Sequence, residues 1–146
     1  MRTFLALTAA ALLLPTFALA SAQSMSPVVS AKLKGPNEAP TKGDPDGEGL
    51  VVIHLNAAKG TTCWDFTGVS GIAKPTASHI HKGRKGVAGP IVVALGAAYK
   101  ASGCVKTLKA TLEKIETNPN AYYVNIHNAK YPGGAVRGQL VAGMEG

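Results

Sequence analysis

The feature that most restricts the fold of this chain is a series of short alternating segments separated by turn-forming residues. Segments 28–33 and 50–55 place apolar residues at every second position, which is the period of a β-strand with one buried face. The segment 35–49 between them contains four glycines and three prolines, so it reads as a long irregular loop. Short strands with frequent turn signals predict an all-β protein rather than an α/β fold.

Seven strands and one helix are predicted along the chain. The strands are 28–33, 50–55, 61–69, 78–81, 91–95, 121–127 and 135–141. The helix is 108–116, with Leu108, Leu112 and Ile115 at helical spacing, and Thr107 is its candidate cap. This pattern predicts a Greek-key, immunoglobulin-like β-sandwich of about seven to eight strands with one short helix.

The strand predicted at 61–69 has two candidate inward faces. One consists of Cys63, Asp65 and Thr67. The other consists of Thr62, Trp64 and Phe66. The aromatic residues favour the second face, because large apolar rings are buried more often than carboxylates.

The first 22 residues have the order of a secretory signal peptide. Arg2 precedes an apolar run over residues 4–14, and small residues near Ala20 and Ala22 offer cleavage sites. The run is shorter than the roughly 20 residues of a membrane-spanning helix. We therefore expect a secreted or periplasmic protein without a membrane span, in which one domain covers residues 28–141.

Two cysteines, Cys63 and Cys104, remain after the predicted cleavage. In an oxidising compartment such a pair most simply forms a disulfide, and two cysteines are too few to make a zinc site alone. From the 40 residues between them, the entropy of loop closure predicts a stabilisation of about 3–4 kcal/mol.

The charge distribution limits the classes of partner. The net charge of +7 is scattered, and the dense basic cluster of Lys82, Arg84 and Lys85 lies among glycines. No basic stripe with stacking aromatics or recognition helix accompanies it, so nucleic-acid binding is not predicted. An extracellular protein or an anionic polymer is a compatible partner, and the sequence identifies neither.

Three of the four histidines carry the functional signal. His79 and His81 are two residues apart in a predicted strand, so their side chains lie on the same face. In strand 121–127, His127 lies on the face opposite to Val124 and Ile126. Because the apolar face is expected inside, all three histidines should point away from the core. If the two strands are neighbours, the three imidazoles converge on one exposed patch.

Three converging imidazoles are a ligand set that copper and zinc both accept, with an open position for water. Asn125 and Arg137 are the candidate residues that would orient these ligands. Two other interpretations stay open, in which the histidines brace the glycine-rich loops or lie on the surface without a role. His54 is interpreted as a surface residue, and no catalytic residue is identified.

Three sequence blocks resemble the CHRD (chordin-type) domain family. They are LKGPNEAP at 33–40, HIHKG and GVAGPIVV within 79–93, and YYVNIH and YPGGAVRGQL within 122–140. Ala135 departs from the family pattern, which usually has an acidic residue there and thus a partner for Arg137. The resemblance implies an exported module without a single established activity.

A weaker resemblance links the chain to copper–zinc superoxide dismutase. It consists of the HxH motif, a later strand histidine, one disulfide and an Arg-Gly ending after a Gly-Gly turn. The bridging histidine and the further zinc ligands of that family are not identifiable here. The leading interpretation is therefore a non-enzymatic binding module with a copper or zinc site. The alternatives are a dismutase-like copper redox enzyme and a structural or adhesive domain.

Overall fold

The structure is a computed structural model that describes residues 27–143, so the predicted signal peptide lies outside the described residues. Over this range the chain forms nine strands, one α-helix and two 3-10 turns at Gly35–Asn37 and Pro119–Ala121. The strands are β1 Val28–Lys34, β2 Glu48–Asn56, β3 Thr61–Ser70, β4 Pro75–Lys82, β5 Ile91–Ala94, β6 Ser102–Lys106, β7 Tyr122–Asn128, β8 Val136–Gln139 and β9 Val141–Ala142. The helix, α1, is Lys109–Thr117.

The predicted all-β fold with one short helix is confirmed. The strands are joined in one antiparallel sheet of order β5-β4-β7-β8-β1-β2-β3-β6, with β9 paired to β1. The count is thus nine rather than seven to eight, and the hydrogen-bonded ladder is continuous. Strands β5 and β6, at the two ends of this order, line one groove through Val93 and Val105. The sheet therefore curls until its edges approach each other, and it is nearly a barrel.

The inner face of the sheet forms the core that the alternation predicts. The buried aliphatic side chains of β1 and β2 are Val29, Ala31, Leu33, Val51, Ile53 and Leu55. In β3 the buried set is Thr62, Trp64 and Phe66, which confirms the choice of the aromatic face. Burying each large apolar side chain contributes on the order of 1.5–3 kcal/mol. This core fixes which residues of every strand face outward.

Two details of the helix differ from the prediction. The helix begins at Lys109, and Leu108 is 78% exposed, so only Leu112 and Ile115 reach the core. Thr107 does not cap the helix, because its Oγ1 pairs with Oγ1 of Thr62 at 2.8 Å. The threonine hydroxyl thus satisfies a buried polar atom of β3 instead of a helix N–H.

Strand β6 was not predicted, since it consists largely of small and charged residues. It pairs with β3 so that Cys104 lies directly opposite Cys63, and the disulfide between them is confirmed. None of the helices within residues 27–143 is long and apolar enough to cross a membrane.

A three-histidine candidate metal centre

The candidate site lies on strands β4 and β7, which are antiparallel neighbours in the sheet. Their register places His79 opposite Asn125, and Ala77 opposite His127. His127 is therefore diagonal to His79 rather than directly opposite it. The ring centroids of His79 and His127 are 4.9 Å apart, and those of His81 and His127 are 6.3 Å apart. One ring nitrogen from each of the three histidines lies within 4.8 Å of the other two.

The three histidines point away from the core, as the alternation predicts, but the patch that they form is only partly exposed. Ile80, Val124 and Ile126 fill the inner face and are fully buried. On the outer face, His81 is only 8% exposed and Asn125 only 2% exposed. The prediction of an exposed patch is therefore wrong for His81, whereas His79 and His127 are half-buried, because loops fold back over this part of the sheet.

The glycine-rich loop 83–90 is one of the loops that fold back over this part of the sheet. The N–H of Gly89 donates a hydrogen bond to Oη of Tyr123 at 3.2 Å. A side chain at position 89 would collide with the carbonyl of Lys82, so only glycine permits this approach. The Tyr123 ring in turn stacks on the His81 imidazole, with centroids 4.7 Å apart and planes 8° from parallel.

Backbone carbonyls fix the protonation of two imidazoles. Nδ1 of His81 lies 2.8 Å from the carbonyl of Gly89, and Nδ1 of His127 lies 2.9 Å from the carbonyl of Pro132. A carbonyl only accepts hydrogen bonds, so each Nδ1 carries the proton and each Nε2 presents a lone pair. Nε2 of His81 is buried and has no hydrogen-bond partner among the described residues.

Nε2 of His127 lies close to side-chain atoms of both His79 and Asn125. Nδ1 of His79 lies 3.0 Å from it, and Oδ1 of Asn125 also lies 3.0 Å from it. Because this Nε2 presents a lone pair, the His79 N–H donates to it when no ion is bound. Oδ1 of Asn125 is also an acceptor, so it makes no hydrogen bond to the unprotonated Nε2. Asn125, predicted to orient the ligands, instead places an oxygen lone pair beside the ligand atom of His127.

The environment keeps the three imidazoles neutral. Burial lowers the pKa of all three histidines. The pKa of His79 falls furthest, to about 4, because a positive charge on His127 or His81 adds to the effect of burial. Neutral imidazole is the form that binds a metal ion, so none of the three rings has to lose a net proton at neutral pH. The His79 N–H that faces His127 must move to the other ring nitrogen or turn away when an ion binds.

Arg137, the second predicted orienting residue, acts at a distance from the histidines. Its guanidinium carbon lies 3.3 Å from the centre of the Tyr123 ring, on the residue that stacks on His81. Its Nη2 donates to the carbonyls of Arg84 at 2.9 Å and Val87 at 3.0 Å. Arg137 therefore ties the loop 83–90 to the sheet and reaches His81 through Tyr123.

Two residues of this site were not singled out from the sequence. Tyr123 alternates with Asn125 and His127 along the strand, and this spacing is the signal that places it on the histidine face. Glu38 lies in the loop after β1 and is 2% exposed. Burial raises the pKa of Glu38 to about 7, against the opposing attraction of Arg137. No local pattern marks Glu38, because its burial depends on long-range contacts.

His54 and the basic loop residues stay outside the cluster. His54 lies on β2, opposite Cys63, and its side chain is exposed. Lys82, Arg84 and Lys85 are also exposed. These residues provide controls for the histidine site.

Comparison with known proteins places the chain by its sequence. A model of the CHRD domain family matches residues 29–140, which is most of the chain and nearly all of the described residues. No curated protein and no solved structure matches the chain. The weaker resemblance to superoxide dismutase therefore rests on the sequence pattern alone. The matched range contains all three sequence blocks and the three histidines of the site, and the chain belongs to the CHRD domain family.

Proposed function

We propose that this protein is an exported, non-enzymatic module that binds one zinc or copper ion through His79, His81 and His127. The observation that carries the proposal is the convergence of three neutral imidazole nitrogens within 4.8 Å of one another. Two of these nitrogens, Nε2 of His81 and Nε2 of His127, present lone pairs because carbonyls occupy the other side of each ring.

The three nitrogens lie close enough together to approach a single ion. Zinc–nitrogen bonds are about 2.0–2.1 Å long, so two nitrogens on one ion are at most about 4.2 Å apart. The nitrogens, which lie within 4.8 Å of one another, must therefore move closer together when an ion binds. Arg137 then serves as an orienting residue through Tyr123 and the loop 83–90, and Asn125 offers an oxygen atom beside the ligand atom of His127.

Export is supported by the disulfide and by the order of the first 22 residues. Disulfides persist in oxidising compartments and are rare in the cytosol. The donor set accepts both zinc and copper, so both ions belong in the test. A dismutase-like redox activity would require copper, and the test with copper is the first step toward it.

A second candidate is a structural role in which the histidines brace the loops. The hydrogen bonds from His81 to Gly89 and from His127 to Pro132 favour it. These bonds use Nδ1 and leave the Nε2 side of each ring facing the cluster, so bracing and metal binding are compatible. They differ in one consequence, which is whether added metal stabilises the fold.

The experiment is thermal unfolding of the disulfide-intact protein, freed of metal by a chelator and dialysed. It is compared with and without zinc(II) or copper(II), for the wild type, the His79→Ala/His127→Ala variant and His54→Ala as matched control. An ion that binds only the folded state stabilises it by about 2.7 kcal/mol at a hundredfold excess over Kd. We expect a metal-dependent rise in Tm for the wild type and His54→Ala that is lost in the double variant.

If neither ion moves the Tm of the wild type, while the double variant unfolds at a lower temperature than His54→Ala, the histidines only brace the loops. The metal-binding proposal would then be wrong.

A further inference from the structure

The side chain of Asn125 lies at the histidine cluster and is more deeply buried than any of the three imidazoles. It is 2% exposed, whereas His81 is 8% exposed and the other two histidines are half-buried. Asn125 precedes His127 by two residues on β7, so both side chains are on the outer face, and its register partner on β4 is His79. The strand pairing therefore brings the amide of Asn125 to the cluster.

The contact between Asn125 and His127 joins two hydrogen-bond acceptors. Oδ1 of Asn125 lies 3.0 Å from Nε2 of His127. Nδ1 of His127 donates to the carbonyl of Pro132, so Nε2 presents a lone pair. An amide oxygen also presents only lone pairs. Two lone pairs that face each other in a buried place repel, and a cation bound to both atoms removes this repulsion.

Two neighbours assign the orientation of the Asn125 amide. Burial raises the pKa of Glu38, and a hydrogen bond from Asn125 opposes this rise. Only the amide nitrogen can donate to a carboxylate, so Nδ2 faces Glu38 and Oδ1 faces the histidines. Burial lowers the pKa of His81, and Asn125 opposes this effect, as an amide oxygen close to the ring does. Both neighbours assign the same orientation.

The position of Oδ1 is that of a ligand rather than of a group that orients a ligand. An orienting group accepts a hydrogen bond from the ring nitrogen that faces away from the metal. In His81 and His127 that place is taken by the carbonyls of Gly89 and Pro132. Asn125 lies on the opposite side of the His127 ring, beside the nitrogen that would hold the ion.

The distance between the two atoms also suits a shared ion. Two atoms bound to one tetrahedral zinc ion at about 2.0–2.1 Å are about 3.3–3.4 Å apart. Oδ1 of Asn125 lies 3.0 Å from Nε2 of His127, and Nδ1 of His79 lies at the same distance from it. The oxygen is therefore as close to the ligand atom of His127 as this imidazole nitrogen is.

We propose that Oδ1 of Asn125 is the fourth ligand of the metal ion, beside the nitrogens of His79, His81 and His127. The inference rests on the proposed histidine site and changes the role of Asn125 within it. Glu38 holds the amide so that the oxygen faces the ion. The position that three imidazoles alone would leave open to water is then occupied by the protein.

A site with four protein ligands has a particular function. Structural zinc sites are closed in this way, whereas catalytic sites keep one position for water or substrate. The ion would tie β4 to β7, and through the hydrogen bonds of His81 and His127 it would also fix the loops that carry Gly89 and Pro132. The ion is thus a cross-link of the covered face, with no position for a substrate.

The first test measures the zinc Kd of the disulfide-intact protein by competition with a chromophoric chelator. Asn125→Leu keeps the approximate volume and removes the oxygen, Asn125→Asp keeps an oxygen at the same place, and Asn118→Leu is the matched control at an exposed position. Loss of an outer partner already costs about 10–100-fold in affinity, so Asn125→Leu should bind at least about tenfold more weakly. Asn125→Asp should bind no more weakly than the wild type, and Asn118→Leu should equal it.

The second test separates a ligand from an orienting residue. Cobalt(II) in place of zinc reports its coordination through its absorption spectrum, and azide binds to an open position on the ion. Azide should leave the spectrum of the wild type unchanged and should alter that of Asn125→Leu. Thermal unfolding without metal checks that each variant is folded, and the azide experiment on the wild type decides the matter even if Asn125→Leu does not fold.

The outcomes distinguish this inference from the proposal on which it rests. If the wild type binds no metal, the histidine site and the fourth ligand are both wrong. If the wild type binds zinc and a folded Asn125→Leu binds it with the same Kd, only the fourth ligand is wrong. Azide binding to the cobalt(II) form of the wild type would likewise show an open position and overturn this inference alone.

Discussion

The outer face of this sheet has two parts that differ although their strands follow the same alternation. On β1, β2 and β3 the outward residues meet water, as Lys32, His54 and Asp65 show. On β4, β7 and β8 the outward residues are covered, and His81 and Arg137 are buried there. The inner face is apolar in both parts. Alternation therefore identifies the side that faces the core, whereas the loops determine whether the other side is exposed to water.

The two parts are also held together differently. The water-facing part has an ion pair between exposed Lys34 and Glu48, of the kind that contributes little to stability. It also has the disulfide that joins β3 to β6. The covered part relies on buried polar contacts, including those that Arg137 makes with the loop 83–90. Lys34 and Arg137 are direct register partners, so the border between the two parts runs between them.

The largest effect is expected from removing the disulfide of the water-facing part. The Cys63→Ser/Cys104→Ser variant should lose about 3–4 kcal/mol of stability, since the bond closes a loop of sequence separation 41 in the unfolded chain. Urea unfolding of the oxidised wild type and the variant measures this loss. The comparison predicts that the folded variant still binds metal like the wild type. Loss of metal binding by a folded variant would show that the two parts are not separate.

The next effect concerns pH and the buried carboxyl of the covered part. The folded pKa of Glu38, about 7, is above its ordinary value of 4.5. Its contribution to stability is therefore complete below pH 4.5 and is lost as pH rises through 7. This difference in pKa corresponds to a loss of stability on the order of 3 kcal/mol between pH 4.5 and pH 7.

Glu38→Gln keeps the shape of the side chain and removes this pH dependence. Relative to the wild type, the variant should gain stability steadily from pH 4.5 to pH 8, as followed by urea unfolding at each pH. Glu116→Gln, at an exposed position, is the control and should parallel the wild type. If the Glu38→Gln and wild-type curves were parallel, Glu38 would not be a buried neutral acid in the folded protein.

The histidines change stability in the opposite direction. Burial lowers their pKa values, to about 4 for His79, so the unfolded chain takes up protons first as pH falls below the ordinary value of 6.5. Their contribution is present above pH 6.5 and is lost toward pH 4. The Glu38→Gln background should therefore show a clearer loss of stability on acidification than the wild type does.

A smaller effect is expected from a pair of substitutions across the border. Arg137→Met should cost about 2–3 kcal/mol, because it removes two hydrogen bonds to loop carbonyls and the contact with the Tyr123 ring. Lys34→Met, at the register partner, should cost less than about 1 kcal/mol, because its ion pair is exposed. If urea unfolding showed that the two variants lose equal amounts of stability, the distinction between the two parts would be wrong.

Much of the fold could be predicted from the sequence because it depends on local patterns. The alternation of Val51, Ile53 and Leu55 identified the inner face of β2, and the aromatic pair Trp64 and Phe66 identified that of β3. Strand β6 escaped prediction because its residues carry little apolar signal. Its place in the sheet is set by pairing with β3.

The candidate site was predictable only in part. The spacing of His79, His81 and His127 correctly placed all three outward. Their cover was not predictable, because it depends on contacts between residues far apart in the chain. Gly89 reaches Tyr123 across 34 residues, and Arg137 reaches Arg84 across 53. Glycines and prolines mark a loop in a sequence, but they do not say where the loop folds back.

The protonation and zinc binding of the histidine rings can be read from a long-range ¹H–¹⁵N NMR spectrum, recorded without metal and with one equivalent of zinc(II). The account predicts that His81 and His127 are neutral and protonated on Nδ1 in the metal-free protein. Zinc should then shift the Nε2 resonances of both rings and leave His54 unchanged. If either ring were protonated on Nε2 without metal, or if zinc left both unchanged, the covered histidine face would not be a metal site.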